Sequence, residues 1–465
     1  MSCLTEPGLV PGLDPPWWRL EARPDAPSPR LEGDAEADVA VVGGGYTGLW
    51  TALALRRREP SCRVVLLEAG LCGDGPSGRN GGFLHGYWAG LARLRMRLGD
   101  EGALAVARAA DGAIAAVEGL GEDVWLRRAG MIQVSTAPAQ DPALDAALDA
   151  ARALGVEEEA VRLSAGEVAE RCRSPHFRRG VLFRDGATVQ PARLVRALRR
   201  AALAAGVAIH ERSPVGTVRP GSVDTVAGRI RAQEIVLATN AWLTAWRPAS
   251  RWLTNFGSYV VLTEPIPELL RRIGWTGGEP ILDGRMFLHY FRTTNDGRVL
   301  MGSGSGPIGF GGRIDSRFTG DRPTVARAEA GLRRLLPDLA SVRVEHAWGG
   351  PIDVSADQLP IFGTASGRIH YGAGFSGNGV GPSWLAGQIL ASLALGADDE
   401  WTRLPLVGRR IRPLPPEPIR RLGGGLVRAA ILRCEAAEEQ GRRPSLPARA
   451  GRALPRLLGM RIGTR

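Results

Sequence analysis

The chain predicts an α/β protein in which a Rossmann-like domain shares the polypeptide with a second, discontinuous, β-sheet-rich domain. Three observations predict it. Val39-Ala40-Val41-Val42 runs into Gly43-Gly44-Gly45-Tyr46-Thr47-Gly48, continues through helix formers over residues 49–58, and returns as Arg63-Val64-Val65-Leu66-Leu67-Glu68. That is strand, glycine turn, helix and strand, with strands apolar throughout because both faces of such a sheet are covered. A second helix and strand of this kind begin at Pro191, and β-rich stretches over residues 251–345 separate them from a last glycine-rich return at Gly372-Ala373-Gly374.

Residues 1–35, rich in Pro, Gly and acidic residues around Pro15-Pro16-Trp17-Trp18, are expected to form an irregular arm with its tryptophans packed on the body. Residues 36–89 supply the first segment of the Rossmann-like domain. Residues 90–187 alternate Ala-rich amphipathic helices with short strands such as Gly130-Met131-Ile132-Gln133-Val134 and open the second domain. Residues 188–248 return to the first domain through the strands Val207-Ala208-Ile209-His210 and Glu234-Ile235-Val236-Leu237-Ala238. Residues 249–344 return to the second, with strands over Ser258-Tyr259-Val260-Val261-Leu262 and over residues 286–292, the latter joined by Asn295-Asp296-Gly297 to Val299-Leu300-Met301. Asp-Gly between apolar runs is a hairpin signal. Residues 345–402 complete the first domain, with a helix from about residue 382 to 395, and residues 403–465 form an Arg-rich extension, helical over 426–439.

A length of 465 residues with 44% hydrophobic content accommodates two domains and an extension. All 59 basic residues are arginine. With no lysine there is no Schiff-base amine for pyridoxal chemistry and no P-loop lysine, so both classes are excluded. The net charge of +11 sits in the tail, where residues 403–465 hold 15 Arg against 4 Glu, and the body is neutral. Nucleic acid is therefore not an expected partner. Two readings of the tail stand: contact with an acidic partner or membrane surface, or a docked helix with solvated arginines. The five cysteines, among them Cys3, form no C-x-x-C pair and the six histidines are scattered, so no metal site is expected. No leader or membrane-span-length apolar run appears, and a cytoplasmic protein is expected.

Gly43, Gly45 and Gly48 match G-x-G-x-x-G where the motif has meaning, after a strand and opening a helix. Gly43 makes the tight turn, Gly45 admits a pyrophosphate to the backbone, and Gly48 lets helix and strand pack closely. The helix start at Tyr46 and Thr47 offers N–H groups and positive dipole to phosphate. Glu68, followed by Ala69, stands twenty residues beyond Gly48, where a carboxylate accepts ribose hydroxyls. The fingerprint alone does not separate FAD from NAD.

Residues 38–48, then Gly75-Pro76-Ser77-Gly78-Arg79-Asn80-Gly81-Gly82, then Gly374-Phe375-Ser376-Gly377-Asn378-Gly379-Val380 together resemble the D-amino-acid oxidase superfamily of FAD-dependent oxidoreductases. That group includes glycine oxidase, sarcosine oxidase and gamma-glutamylputrescine oxidoreductase, and the Ser-Gly-Arg-Asn-Gly-Gly block most resembles the last. The resemblance covers roughly residues 36–400. It implies that Ser77, Gly78, Arg79, Asn80, Gly81 and Gly82 pass along the flavin, and that Gly374, Phe375, Gly377, Asn378, Gly379 and Val380 approach its pyrimidine edge. It also implies that Val215 holds adenine through its backbone and that Ala238, Thr239 and Asn240 close the pocket. The implied activity is oxidation of a C–N bond in a small-molecule amine or amino acid by hydride transfer to FAD.

By the same resemblance Arg292 grips a substrate carboxylate, bidentate in geometry; a strand-end arginine without that role is the other reading. Tyr259, Tyr290, Trp348 and Phe375 are expected as an apolar substrate wall or as core. Two departures from the family pattern matter. Asn378 stands where many relatives have histidine, and residues 298–302 (Arg-Val-Leu-Met-Gly) lack the oxygen-activating lysine of sarcosine oxidase. No flavin-bonding cysteine lies near Trp348, so the FAD is expected to be noncovalent. An FAD-holding electron-transfer subunit, or a dehydrogenase with an acceptor other than oxygen, stays open.

Overall fold

A computed structural model of the chain describes residues 16–457. Pro15, Cys3 and residues 458–465 lie outside that range.

The first eight-stranded sheet begins from Ala35–Val42, whose apolar residues pair in parallel with Arg229–Leu237 on one side and Val64–Leu67 on the other. Val41 thus lies between Val236 and Leu66. Ala208–His210 extends the sheet beyond Val64–Leu67 in parallel. On the opposite side Ile369–Ala373 pairs in parallel with the end of Arg229–Leu237, and the hairpin Val215–Arg219 with Ser222–Thr225 pairs with its beginning. The helices Tyr46–Arg58 and Pro382–Ala394 pack so closely that a Cβ on Gly387 would lie 2.6 Å from that of Trp50.

The second sheet runs, neighbour to neighbour, Val344–Ser355, Leu253–Thr263, Val299–Ser303, His289–Thr293, Ile281–Asp283, Met131–Ser135, Arg179–Phe183 and Ala160–Leu163. Its buried Val261, Phe291 and Met301 meet Leu332 and Leu335 of the helix Arg322–Leu335. Phe83–Leu84, Ala187–Thr188 and Arg127–Arg128 form a small third sheet between chain segments of the two domains. The expected hairpin is present, with Gly297 at φ +80° and its N–H on the Thr294 carbonyl.

Four expectations need correction. Val344–Ser355 pairs along its whole length with Leu253–Thr263, so it belongs to the second sheet and the third segment of the first domain starts after it, not at 345. Gly349 lies inside this strand, and a Cβ there would lie 2.4 Å from the Tyr259 ring, so glycine is what lets the strand pass. The strand expected over 286–292 starts at His289, because the Asp283 carboxylate accepts the N–H groups of Arg285 and His289 and folds the intervening residues into a turn. The arm is not irregular throughout: Trp17–Ala22 is helical, with Trp18 fully buried. The tail helix is Ile419–Glu439 and so includes Gly423-Gly424-Gly425. Arg420 anchors its first turn on the carbonyls of Pro415, Ser250 and Leu253, while buried Val427 and Ile431 pack with Phe256, Met286 and Phe287.

Candidate active site

The glycine turn is dictated by close approach. Gly43 adopts φ +113°, and a Cβ there would lie 2.6 Å from the Ala238 carbonyl; one on Gly48 would lie 1.9 Å from the Gly43 carbonyl. Only glycine lets strand and helix meet this tightly. Gly45 caps the helix, and Ser77 Oγ accepts the Tyr46 N–H at 3.0 Å, joining the first two motifs. Glu68 accepts from Gly44 N–H at 2.7 Å and Gly70 N–H at 2.9 Å, yet burial pushes its carboxyl up to about 7. Ser213 donates its N–H to the Glu68 carbonyl, which sets Val215 beside this end of the site.

The third motif is tied down elsewhere. Gly374 N–H donates to the buried Asp353 carboxylate, and Ser376 N–H donates to the Asp353 carbonyl at 2.9 Å. Gly374 and Gly377 have φ of +83° and +91°, which turns the chain into the helix Pro382–Ala394. Burial raises Asp353 to about 6. Asn240 is held at φ +46°.

One cleft of about 2300 Å³, its mouth included, brings these parts together. Its lining takes in Gly43, Gly45, Tyr46, Thr47, Glu68, Ala69, Ser77, Arg79, Asn80, Val215, Ala238, Thr239, Asn240, Phe375, Gly377, Gly379 and Val380. Its lining runs past all three glycine motifs and Glu68, as a dinucleotide site requires. Thr239 Oγ1, Asn240 Oδ1 and Arg79 Nη1 are buried without a hydrogen-bond partner, polar atoms of the kind a large polar ligand satisfies. The residues present therefore fit such a group. Gly48, Gly78, Gly81, Gly82, Gly374 and Asn378 shape the cleft without lining it. Asn378 donates to the Gly86 carbonyl at 3.0 Å, and its Oδ1 is unpartnered.

The expected substrate wall is placed differently: of its members, only Phe375 lines the cleft. Tyr259 is fully buried and donates to the Arg317 carbonyl. Half-buried Tyr290 meets Ser258 Oγ at 2.8 Å and Phe83 edge-to-face. Arg292 is fully buried, its guanidinium donating to the carbonyls of Gly82 at 3.1 Å, Val189 at 2.6 Å and Thr293 at 3.0 Å. Burial lowers its pKa to about 9, which leaves it charged at neutrality. Trp348 donates its indole N–H to the Arg79 carbonyl at 2.8 Å, and Trp18 donates to the Asn80 carbonyl at 2.9 Å. Three buried side chains from three distant segments thus grip the carbonyls of Arg79, Asn80 and Gly82 from behind. Arg292 and Trp348 position the second glycine loop instead of facing the cleft.

Sequence reasoning missed Trp18 in this role, and also Arg19, Asp74, Trp242, Ile352, Asp353 and Ser383 in the lining. Only the burial expected of the Trp17-Trp18 pair pointed that way. Asp353 carried no signal, since one carboxylate in a glycine-interrupted strand matches no pattern.

A sheet with a parallel centre, a glycine turn under a helix start, an acid at the next strand end and a second sheet beside the cleft define a dinucleotide-binding protein. Comparison with known proteins narrows the class. The chain belongs to the FAD dependent oxidoreductase family, DAO, whose model matches residues 38–393. It is 30% identical over 432 residues to a probable oxidoreductase, OrdL, of Rhizobium meliloti, covering 89% of this chain and 94% of that one. It is 28% identical over 397 residues to gamma-glutamylputrescine oxidoreductase of Escherichia coli, covering 82% and 88%. Among solved structures, glycine oxidase from Geobacillus kaustophilus shares the fold with a TM-score of 0.65 at 23% identity, over 81% of this chain and 99% of that one.

Proposed function

We propose that this FAD-dependent oxidoreductase oxidises the C–N bond of an amine or amino acid, with its FAD held noncovalently. The carrying observation is the single cleft onto which all three glycine motifs, Glu68 and the unpartnered polar atoms converge. The relatives named for gamma-glutamylputrescine and glycine point to the same substrate class. Glu68 accepts the ribose hydroxyls, the start of Tyr46–Arg58 faces the pyrophosphate, and Val215 backs the adenine. Bound FAD supplies a hydride acceptor for the carbon that carries the substrate nitrogen, and the resulting imine hydrolyses in water. Phe375 offers an apolar surface to the substrate. Arg79, with an unpartnered Nη1 and burial lowering its pKa, is the cation available at the cleft for a substrate carboxylate or for negative charge on the reduced cofactor. No described cysteine lines the cleft, which supports a noncovalent cofactor.

The absence of lysine favours a second reading of the electron exit, an acceptor other than oxygen or a partner protein. Purified protein tests both. A yellow chromophore released into the supernatant by acid precipitation, and bleached anaerobically by one member of a panel of amino acids, N-methyl amino acids and polyamine derivatives, is expected. Return of colour in air identifies an oxidase; return only with an added acceptor identifies a dehydrogenase. Copurified NAD, or colourless protein that takes up no FAD, overturns the proposal.

A further inference from the structure

The helix Leu446–Leu457 is turned the wrong way round for a helix that merely caps the body. It rests on its neighbour through small or constrained residues: Ala448 and Pro455 are buried, and a Cβ on Gly451 would lie 2.7 Å from that of Ala430. At 100° per residue, Leu446, Ala450, Ala453, Leu454 and Leu457 fall on one stripe, and all five are exposed, the leucines by 75%, 43% and 81%. The preceding helix adds Ile419, Leu422 and Leu426, exposed at i, i+3 and i+7. Six of the twelve exposed large hydrophobics among the described residues therefore sit on these two helices. Exposure of that density marks a contact surface and not scatter.

Charge identifies the contact. Arg433, Arg442, Arg443, Arg449 and Arg456 pair with no carboxylate among the described residues, whereas Arg452 is held by Glu438. A second copy would oppose arginine to arginine. No described helix is long and apolar enough to cross a bilayer. An apolar stripe flanked by free arginines is the pattern of a helix lying in the plane of an anionic lipid surface. We propose that the C-terminal helix pair seats this enzyme peripherally on anionic membrane, with Leu446, Leu454 and Leu457 entering the interface and the arginines meeting lipid phosphates.

The test uses the full-length, flavin-loaded protein and vesicles of phosphatidylcholine with or without phosphatidylglycerol. The protein is expected to sediment with the anionic vesicles only and to be released by salt. Substituting Arg442, Arg443, Arg449 and Arg456 by Gln is expected to lower partitioning roughly fivefold per arginine. Substituting Leu446, Leu454 and Leu457 by Gln is expected to lower it roughly tenfold per leucine. Both variants should keep their flavin spectrum, which shows that the fold is intact. Wild-type protein left in the supernatant, or a leucine variant that binds as wild type does, overturns the proposal. So does a vesicle-free dimer abolished by the leucine substitutions, or binding to polyglutamate in place of vesicles.

Discussion

The two glycine loops that meet at Ser77 and Tyr46 share close backbone packing but differ in what else holds them. The Gly43–Gly48 turn is held from within, by backbone so close to backbone that no side chain fits. The Arg79–Gly82 loop, where a Cβ on Gly82 would likewise lie 2.2 Å from the Val189 carbonyl, is held in addition from outside, by Trp18, Trp348 and Arg292, whose donors reach in from the arm and the second sheet. A loop built by local sterics is specified by the residues it contains. A loop built by remote donors is specified by residues that look unrelated to it.

This contrast is open to attack, and the largest effect should come from the first loop. Gly48→Ala places a methyl against the Gly43 carbonyl, and a penalty of about 3 kcal/mol or more, over a hundredfold in FAD affinity, is expected. The flavin-to-protein absorbance ratio measures it. Next is Arg292→Met, which strands the buried Val189 carbonyl, leaves that of Gly82 with the Val189 N–H alone, and should lower stability by about 2–3 kcal/mol. If Arg292 only positions the loop, KM for substrates with and without a carboxylate will shift alike. A rise confined to carboxylate substrates, at an unchanged denaturation midpoint, would return Arg292 to the substrate.

Glu68 gives a smaller, pH-dependent effect. Ribose hydroxyls donate to the ionised carboxylate, but the flavin-free protein holds the proton up to about 7. FAD affinity should therefore fall as pH drops below that value, by up to about tenfold per unit, and Glu68→Gln should flatten the profile in a fluorescence titration. Because the folded pKa is raised above the ordinary 4.5, the flavin-free protein should lose stability from Glu68 as pH rises between 4.5 and about 7. The smallest change is Trp18→Phe, which removes one donor to Asn80 and should cost about 1 kcal/mol, read as a lower urea midpoint.

The first sheet and its glycine turn were legible because their signals are contiguous: an apolar strand, a glycine spacing, a helix and an acid within thirty-odd residues. The Ser77–Gly82 and Gly374–Val380 motifs were legible through resemblance and do converge on the cleft region. What escaped reading lies where contact is non-local. Val344–Ser355 hides its strand character behind Gly349-Gly350-Pro351, the first of which is glycine because the Tyr259 ring fills the space a side chain would take. Arg292 resembled a substrate anchor by its place in the strand, but no pattern in the sequence shows that three backbone carbonyls take its Nε and Nη1. Asp353 is recognisable only once Gly374 is seen to donate to it.

The arm helix Trp17–Ala22 lies outside residues 38–393, the stretch that the family model matches. A chain trimmed to residues 38–393 would keep every glycine motif and still lose Trp18 and Arg19, together with Glu435, whose carboxylate holds Arg285 and the Phe287 N–H. The segments Trp17–Ala22 and Ile419–Glu439, although they bear none of the glycine motifs, therefore brace the body that carries them.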